Sequence, residues 1–175
     1  SIDEISDGKL YKKDDTVLAD CQGCVNCHAC CQGMGDSIVL DPYDIYRLTK
    51  GCQCHFDALL EKYVALTMDD GVILPHLKMQ EDTGTCAFLN QAGRCSIHAY
   101  RPGICRLFPL GRIYQDDTFY YFLQVHECTN QNRSEVTVKD WIHTEELETY
   151  ETYILDWHNL LKDWRAKVQK TNDET

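Results

Sequence analysis

No stretch of this sequence approaches the roughly 20 consecutive apolar residues that a helix needs to cross a bilayer, so a helical membrane span is excluded. The opening Ser-Ile-Asp-Glu-Ile-Ser-Asp-Gly lacks the basic start, apolar middle and small-residue cleavage site of a secretory leader. The expectation is a soluble protein of the reducing cytoplasm. Basic residues are also scarce: 17 Lys and Arg against 28 Asp and Glu leave a net charge of -11. Non-specific nucleic-acid binding, which depends on cations neutralising phosphates, is thereby disfavoured, and a protein partner with a basic docking face is favoured. Catalytic signatures are missing too. There is no P-loop, no glycine-rich nucleotide loop after a strand, no HExxH helix and no CxxxCxxC spacing of radical enzymes. The carboxylates fall in no recognisable catalytic frame, and a single Cys-His nucleophilic pair does not stand out among so many thiols. No independent catalytic activity is expected, and no fixed-period repeat suggests an array.

What the chain has in excess is cysteine, 11 in 175 residues. Five fall within Cys21-Gln-Gly-Cys-Val-Asn-Cys-His-Ala-Cys-Cys31. Cys21, Cys24, Cys27 and Cys31 follow the C-x2-C-x2-C-x3-C spacing by which bacterial ferredoxins hold an iron-sulfur cluster, although Gln32 stands where proline usually follows. Short spacers suit a loop that turns successive sulfurs toward one centre while its free amides offset their charge. Adjacent residues normally point apart, so Cys30 and Cys31 are expected to face different surroundings, one a metal centre and the other a second centre or the core. The competing readings are packed thiols or a disulfide framework, which an odd cysteine count and a reducing compartment disfavour.

The fold class expected is α+β, a single compact, loop-rich domain, since the length supports one core and not two. Residues 1–20 read as an N-terminal arm, ordered at most near Tyr11 to Leu18, and 21–135 as the cysteine-cluster core. Residues 136–170 read as a C-terminal helix on that core and 171–175 as a tail. Within the core, Ser37–Asp41 reads as a short strand, and Asp41-Pro42 as the capped start of a helix ending at Gly51. A second helix is expected over about 56–66, then a turn at Asp69-Asp70-Gly71 and a strand over 72–79 edged by Pro75. Phe119 to Val125 is a strand by its aromatic and branched content. Leu147, Tyr150, Ile154, Trp157, Leu161, Trp164 and Val168 recur at alternating spacings of three and four, the apolar stripe of one long helix over 140–168. That stripe covers the chain's own core or forms a homodimer seam. Cys52 and Cys54, in the connection between the first two helices, read as packing or capping residues, with extra metal ligands or a redox pair as the alternative.

A second tract runs from Cys86 to Pro109 through Gly93-Arg-Cys-Ser-Ile-His and Arg-Pro-Gly-Ile-Cys-Arg-Leu-Phe-Pro, and Cys128 follows the aromatic strand. Taken together, Cys24-x2-Cys27-x2-Cys30-Cys31 and the downstream Cys86, Gly93, Cys95, Ile97, Arg101, Pro102, Cys105, Arg106, Phe108 and Pro109 resemble the YkgJ-type cysteine-cluster family. The CxxCxxCC domain of that family is described as zinc- or iron-chelating. The likeness covers about residues 24–128, with His98 at a position usually tyrosine and Asp44 where the family often carries an acid. It implies metal binding by Cys24, Cys27, Cys30, Cys31, Cys86, Cys95, Cys105 and Cys128; Cys21 lies outside the shared pattern and is an additional candidate ligand by its ferredoxin-like spacing alone. Flagellin lysine methylases share the signature, but their activity is not carried over, because no domain for S-adenosylmethionine is legible here.

Eight thiols are enough for two all-cysteine zinc sites or for two [4Fe-4S] clusters, and thiolate suits both metals. Three features tilt the expectation toward one or two iron-sulfur clusters. These are the ferredoxin spacing, the cations Arg101 and Arg106 flanking Cys105 as groups that would offset cluster charge, and the single arrival of Cys86, Cys95, Cys105 and Cys128 instead of paired zinc knuckles. His28 and His98 stand in reserve as ligands. The function expected is that of a small electron-transfer or accessory subunit working with a redox or client enzyme. The rivals are a zinc-stabilised interaction module and an enzyme with an open iron site.

Overall fold

The computed structural model describes residues 2–22 and 27–173. Its elements in chain order are α1 (Ile2–Ile5), β1 (Thr16–Asp20), α2 (Pro42–Cys52), α3 (Phe56–Lys62), β2 (Val64–Asp69), β3 (Val72–Leu77), α4 (Gly103–Leu107), β4 (Leu110–Gln115), β5 (Thr118–Leu123), β6 (Ser134–Thr137), α5 (Val138–Ile142) and α6 (Leu147–Asp173). The strands form three antiparallel pairs, β1 with β6, β2 with β3 and β4 with β5. This is an α+β domain in which irregular loops join small sheets and helices.

Two apolar clusters carry most of the core. One gathers Tyr11, Val17, Ala19, Leu107, Leu110, Tyr121, Leu123, Val138 and Ile142. The other gathers Ile38, Leu40, Leu48, Leu59, Val64, Leu77, Cys86, Phe88 and Ile97. The first draws in the N-terminal segment further than its polar composition suggests. Val17 and Ala19 alternate inward from β1, which is closed by β6, and Tyr11 exchanges backbone hydrogen bonds with Tyr121. Residues beyond the expected Tyr11 to Leu18 segment are therefore ordered as well, from α1 onward.

The second cluster is built on α2. Asp41 caps this helix in a reciprocal box, its carboxylate accepting from Asp44 N at 2.8 Å while Asp44 accepts from Asp41 N at 3.0 Å, and Pro42 opens the first turn. The strand expected over 37–41 is reduced to one bridge, Val39 opposite His76, because the chain turns into the cap at Asp41. The second helix stops at Lys62 instead of running to 66. Val64 and Thr67, branched residues that favour extended backbone, pair with Leu77 and Leu74 in the β2–β3 hairpin, where hairpin pairing outweighs the helical spacing.

Helix α2 lies against the turn His98–Tyr100 because Gly51 has no side chain. A Cβ there would sit 2.6 Å from Tyr100 Cγ and 2.8 Å from Tyr100 Cβ. Gly51→Ala is expected to destabilise the fold by about 1–3 kcal/mol, read as a lower urea midpoint with an unchanged slope. An unchanged midpoint would mean that Tyr100 moves aside freely.

The C-terminal region is two helices, not one. α5 ends where His143 takes a left-handed conformation, φ 47°, and α6 starts only at Leu147 after Glu146 does the same, φ 48°. Tyr150, Ile154 and Leu161 of the apolar stripe are buried on the chain's own core, and Trp157 and Leu161 cover Val72 and Leu74 of the hairpin. Past Leu161 the stripe opens: Trp164 is 41% exposed. Arg165 pairs with Asp69, and Val168 packs over Gly71, which φ +81° and the absent Cβ make room for. No described helix is long and apolar enough to cross a membrane.

Candidate metal centre

The cysteine loops are stitched together by isolated bridges and not by a sheet. Gln32 pairs with Thr85, Met79 with Cys86 and Leu89 with Cys95, and Cys86 N donates to Cys31 O at 2.7 Å. The turn carrying Cys95 is closed by Asn90, whose side-chain oxygen accepts from Ala92 N and Arg94 N. Gly93, at φ +70°, lets His28 come close: a Cβ on Gly93 would lie 3.1 Å from His28 Nδ1. Cys105 arrives on α4, whose first amide, Gly103 N, donates to the buried carboxylate of Asp44 at 2.8 Å.

These loops converge on a cavity of about 100 Å³, far more than the ~10–15 Å³ that admits one water. Cys27, Cys30, Cys31, Cys86, Cys95 and Cys105 line it, together with the apolar side chains of Ile38, Leu77, Phe88 and Ile97. His28, His98 and Arg101 also line it, and Arg94, which the sequence reading passed over, stands beside them. Arg94 sits one residue before Cys95, a signal weaker than the motif arginines. Of the other expected ligands, Cys128 and Cys21 are buried outside the cavity lining. Cys27 Sγ lies 3.9 Å from Thr129 Oγ1, next to Cys128. Cys24 lies outside the described residues.

Cys30 and Cys31 do not face apart. They sit on the 3₁₀ turn Ala29–Cys31, line the same cavity and hydrogen-bond thiol to thiol. With three residues per turn, the 3₁₀ geometry rotates successive side chains by about 120° and not by the roughly 180° of an extended segment. Hydrogen bonding from Cys31, aided by the nearby Arg101 charge, brings the Cys30 thiol down to about 7 against the opposing effect of burial. The Cys31 thiol is held protonated by the same hydrogen bond, by burial and by its thiol neighbours. Burial likewise raises Cys86, Cys95 and Cys105, and each feels the charge of at least one other cysteine in the set. Five thiols thus share one electrostatic environment.

Arg106 does not join them. Its guanidinium turns from the cavity to donate to Thr144 Oγ1 at 2.6 Å and lies 5.2 Å from the Tyr150 ring centre. The helical turn from Cys105 to Arg106 rotates their side chains by about 100°, which sequence adjacency conceals. All ten described cysteines are free thiols, which removes the disulfide reading for them. Among the described residues, no three His, Cys, Asp or Glu side chains are arranged to hold a metal ion. The thiols line a wall and do not meet at one point.

In comparison with known families, the CxxCxxCC model, described as a "Putative zinc- or iron-chelating domain", matches residues 21–138. The comparisons with curated proteins and with solved structures gave no match.

Proposed function

Because this chain belongs to the CxxCxxCC family of zinc- or iron-chelating cysteine domains, we propose that its cysteine-lined cavity holds one iron-sulfur cluster, and that the protein serves a partner enzyme as a small electron-transfer or accessory subunit. The observation that carries this reading is the room among the thiols. In a closed zinc site, with Zn–S about 2.3 Å, tetrahedral thiolates lie roughly 3.8 Å apart and leave no space between them. Here six cysteines help to line a cavity of about 100 Å³, and no described trio is arranged for one ion. That donor set fits a multi-atom thiolate-held group, with Cys30, Cys86, Cys95 and Cys105 as its ligands and Cys27 or Cys31 as the replaceable member. Such a group, when bound, supplies one-electron chemistry.

The chain's own residues set the conditions for it. Ile38, Leu77, Phe88 and Ile97 exclude water, which narrows access and lowers the local dielectric. Arg101 brings positive charge to the thiols, favouring the ionised forms of Cys30 and Cys95. A net charge of -11 supports docking on a basic partner surface.

Anaerobic purification followed by a visible spectrum and metal analysis of one sample tests the reading. Broad visible absorption with iron and acid-labile sulfide supports it. A colourless protein holding stoichiometric zinc overturns it and makes the cavity a structural site. Arg101→Gln is expected to slow iodoacetamide alkylation of Cys30 in the metal-free protein several-fold near pH 7, since less thiolate forms without the cation. Equal rates would show that Arg101 is screened from the thiol.

A further inference from the structure

Three cysteines fall outside the family signature, and two of them, Cys52 and Cys54, stand together at the end of α2. The helix closes at Cys52, and Gln53 takes a left-handed conformation, φ 52° and ψ 43°. The chain folds back there: Gln53 N donates to Lys50 O at 3.3 Å, and Cys54 N to Thr49 O at 3.1 Å. Cys54 therefore returns beside Cys52, close enough for the Cys52 thiol to feel its neighbour's charge. Both are half-buried on the flank of the cluster built on Leu48 and Leu59, outside the lining of the cysteine-lined cavity.

We propose that Cys52 and Cys54 form a redox-active dithiol that closes reversibly to an intramolecular disulfide by exchange with a low-molecular-weight disulfide. Two cysteines separated by one residue and brought side by side by a fold-back turn have the backbone proximity that a disulfide demands. Their setting also decides between oxidation and metal binding. A two-thiolate metal site needs both groups ionised, yet burial and the neighbouring thiol hold the proton on Cys52, and the C-terminal end of a helix disfavours negative charge. A disulfide leaves no charge behind.

Cys54, set between the exposed residues Gln53 and His55, is the attacking thiol. Its thiolate displaces one small thiol from the disulfide and forms a mixed disulfide. Cys52, losing its proton, then attacks the Cys54 sulfur and displaces the second. Two protein thiols are oxidised by two electrons, the small disulfide is reduced to two thiols, and both protons leave with them.

The chain permits a clean test. Trypsin cuts after Lys50 and Lys62 and releases Gly51–Lys62, which carries these two cysteines and no other. The full-length protein is equilibrated anaerobically over a series of reduced to oxidised glutathione ratios, quenched by alkylation and digested. The peptide is expected to pass from doubly alkylated to a form lighter than the free dithiol by two hydrogens, and to revert when reduced glutathione is restored. Cys52→Ser is expected to leave Cys54 as a stable glutathione adduct, which the wild type does not accumulate. A peptide that stays doubly alkylated at oxidising ratios, or a wild type that collects glutathione adducts without closing, overturns the proposal. The readout is independent of whether the cysteine-lined cavity holds metal.

Discussion

Cys105→Ser is expected to lose nearly all bound metal, with affinity falling at least as far as the roughly 10–100-fold seen when only an outer partner of a metal ligand is removed. Cys105 is carried on α4 between buried Gly103 and Leu107, so its position is fixed by the helix backbone. Serine keeps nearly the same volume, yet its hydroxyl stays neutral near pH 7 and is a harder donor than thiolate. The burial that raises the Cys105 thiol, reinforced by Cys86 and Cys30, means that metal binding displaces a proton there. Loading of the wild type is accordingly expected to weaken as pH falls and to release protons into an unbuffered solution. The checks are metal content per chain and a far-ultraviolet spectrum to establish that the variant folds. A folded Cys105→Ser protein with full metal content would make Cys105 a packing residue.

Asp44→Ala is expected to destabilise the protein by about 2–6 kcal/mol, because it strands two buried amides at about 1–3 kcal/mol each. One carboxylate oxygen accepts from Asp41 N at the start of α2, and the other from Gly103 N at the start of α4. The residue thus ties the helix that supports the core to the helix that presents Cys105. Burial first, and the neighbouring Asp41 charge second, push Asp44 up to about 7. In the unfolded chain its carboxyl titrates near 3.9. Between these values the folded state holds a proton that the unfolded state has released. The contribution of Asp44 is therefore fully present below about pH 4, declines as pH rises toward 7, and levels off above. Asp44→Asn, which keeps an acceptor for one amide and does not titrate, is expected to remove that slope. Chemical-denaturation midpoints of the two proteins across this range measure it, and a difference that is flat with pH would show that Asp44 titrates normally.

Where the sequence was legible, the signals were local. The Asp41-Pro42 start of α2 was readable because capping is a contact between residues three apart. The α6 stripe was readable because burial of one helix face imposes its own period. The misreadings share a different cause. The 56–66 segment has a helical spacing up to Lys62, but β3 supplies a pairing partner from Val64 onward, and a partner is not part of a local window. Arg106 looked like a neighbour of the thiols because it follows Cys105, whereas α4 turns it onto Tyr150 and Thr144. Cys52 and Cys54 do pack against the Leu48 and Leu59 cluster as read, but nothing in Cys-Gln-Cys reveals the left-handed Gln53 that folds Cys54 back beside Cys52.

By itself the sequence determined the chemistry available to this protein. It supplied an excess of soft thiol donors at the spacing of a cysteine-cluster domain, a strongly acidic charge and no apolar run long enough for a helical span. Only the tertiary structure decided which thiols meet. Cys30 and Cys31 share a wall with Cys86, Cys95 and Cys105, over separations of up to 75 residues, while Cys128 and Cys21 are buried outside it. The physical reason is one of range. A residue's donor chemistry belongs to its own side chain, but convergence depends on hydrogen bonds such as Cys86 N to Cys31 O and Gly103 N to Asp44, which form between segments that the rest of the fold has already brought together.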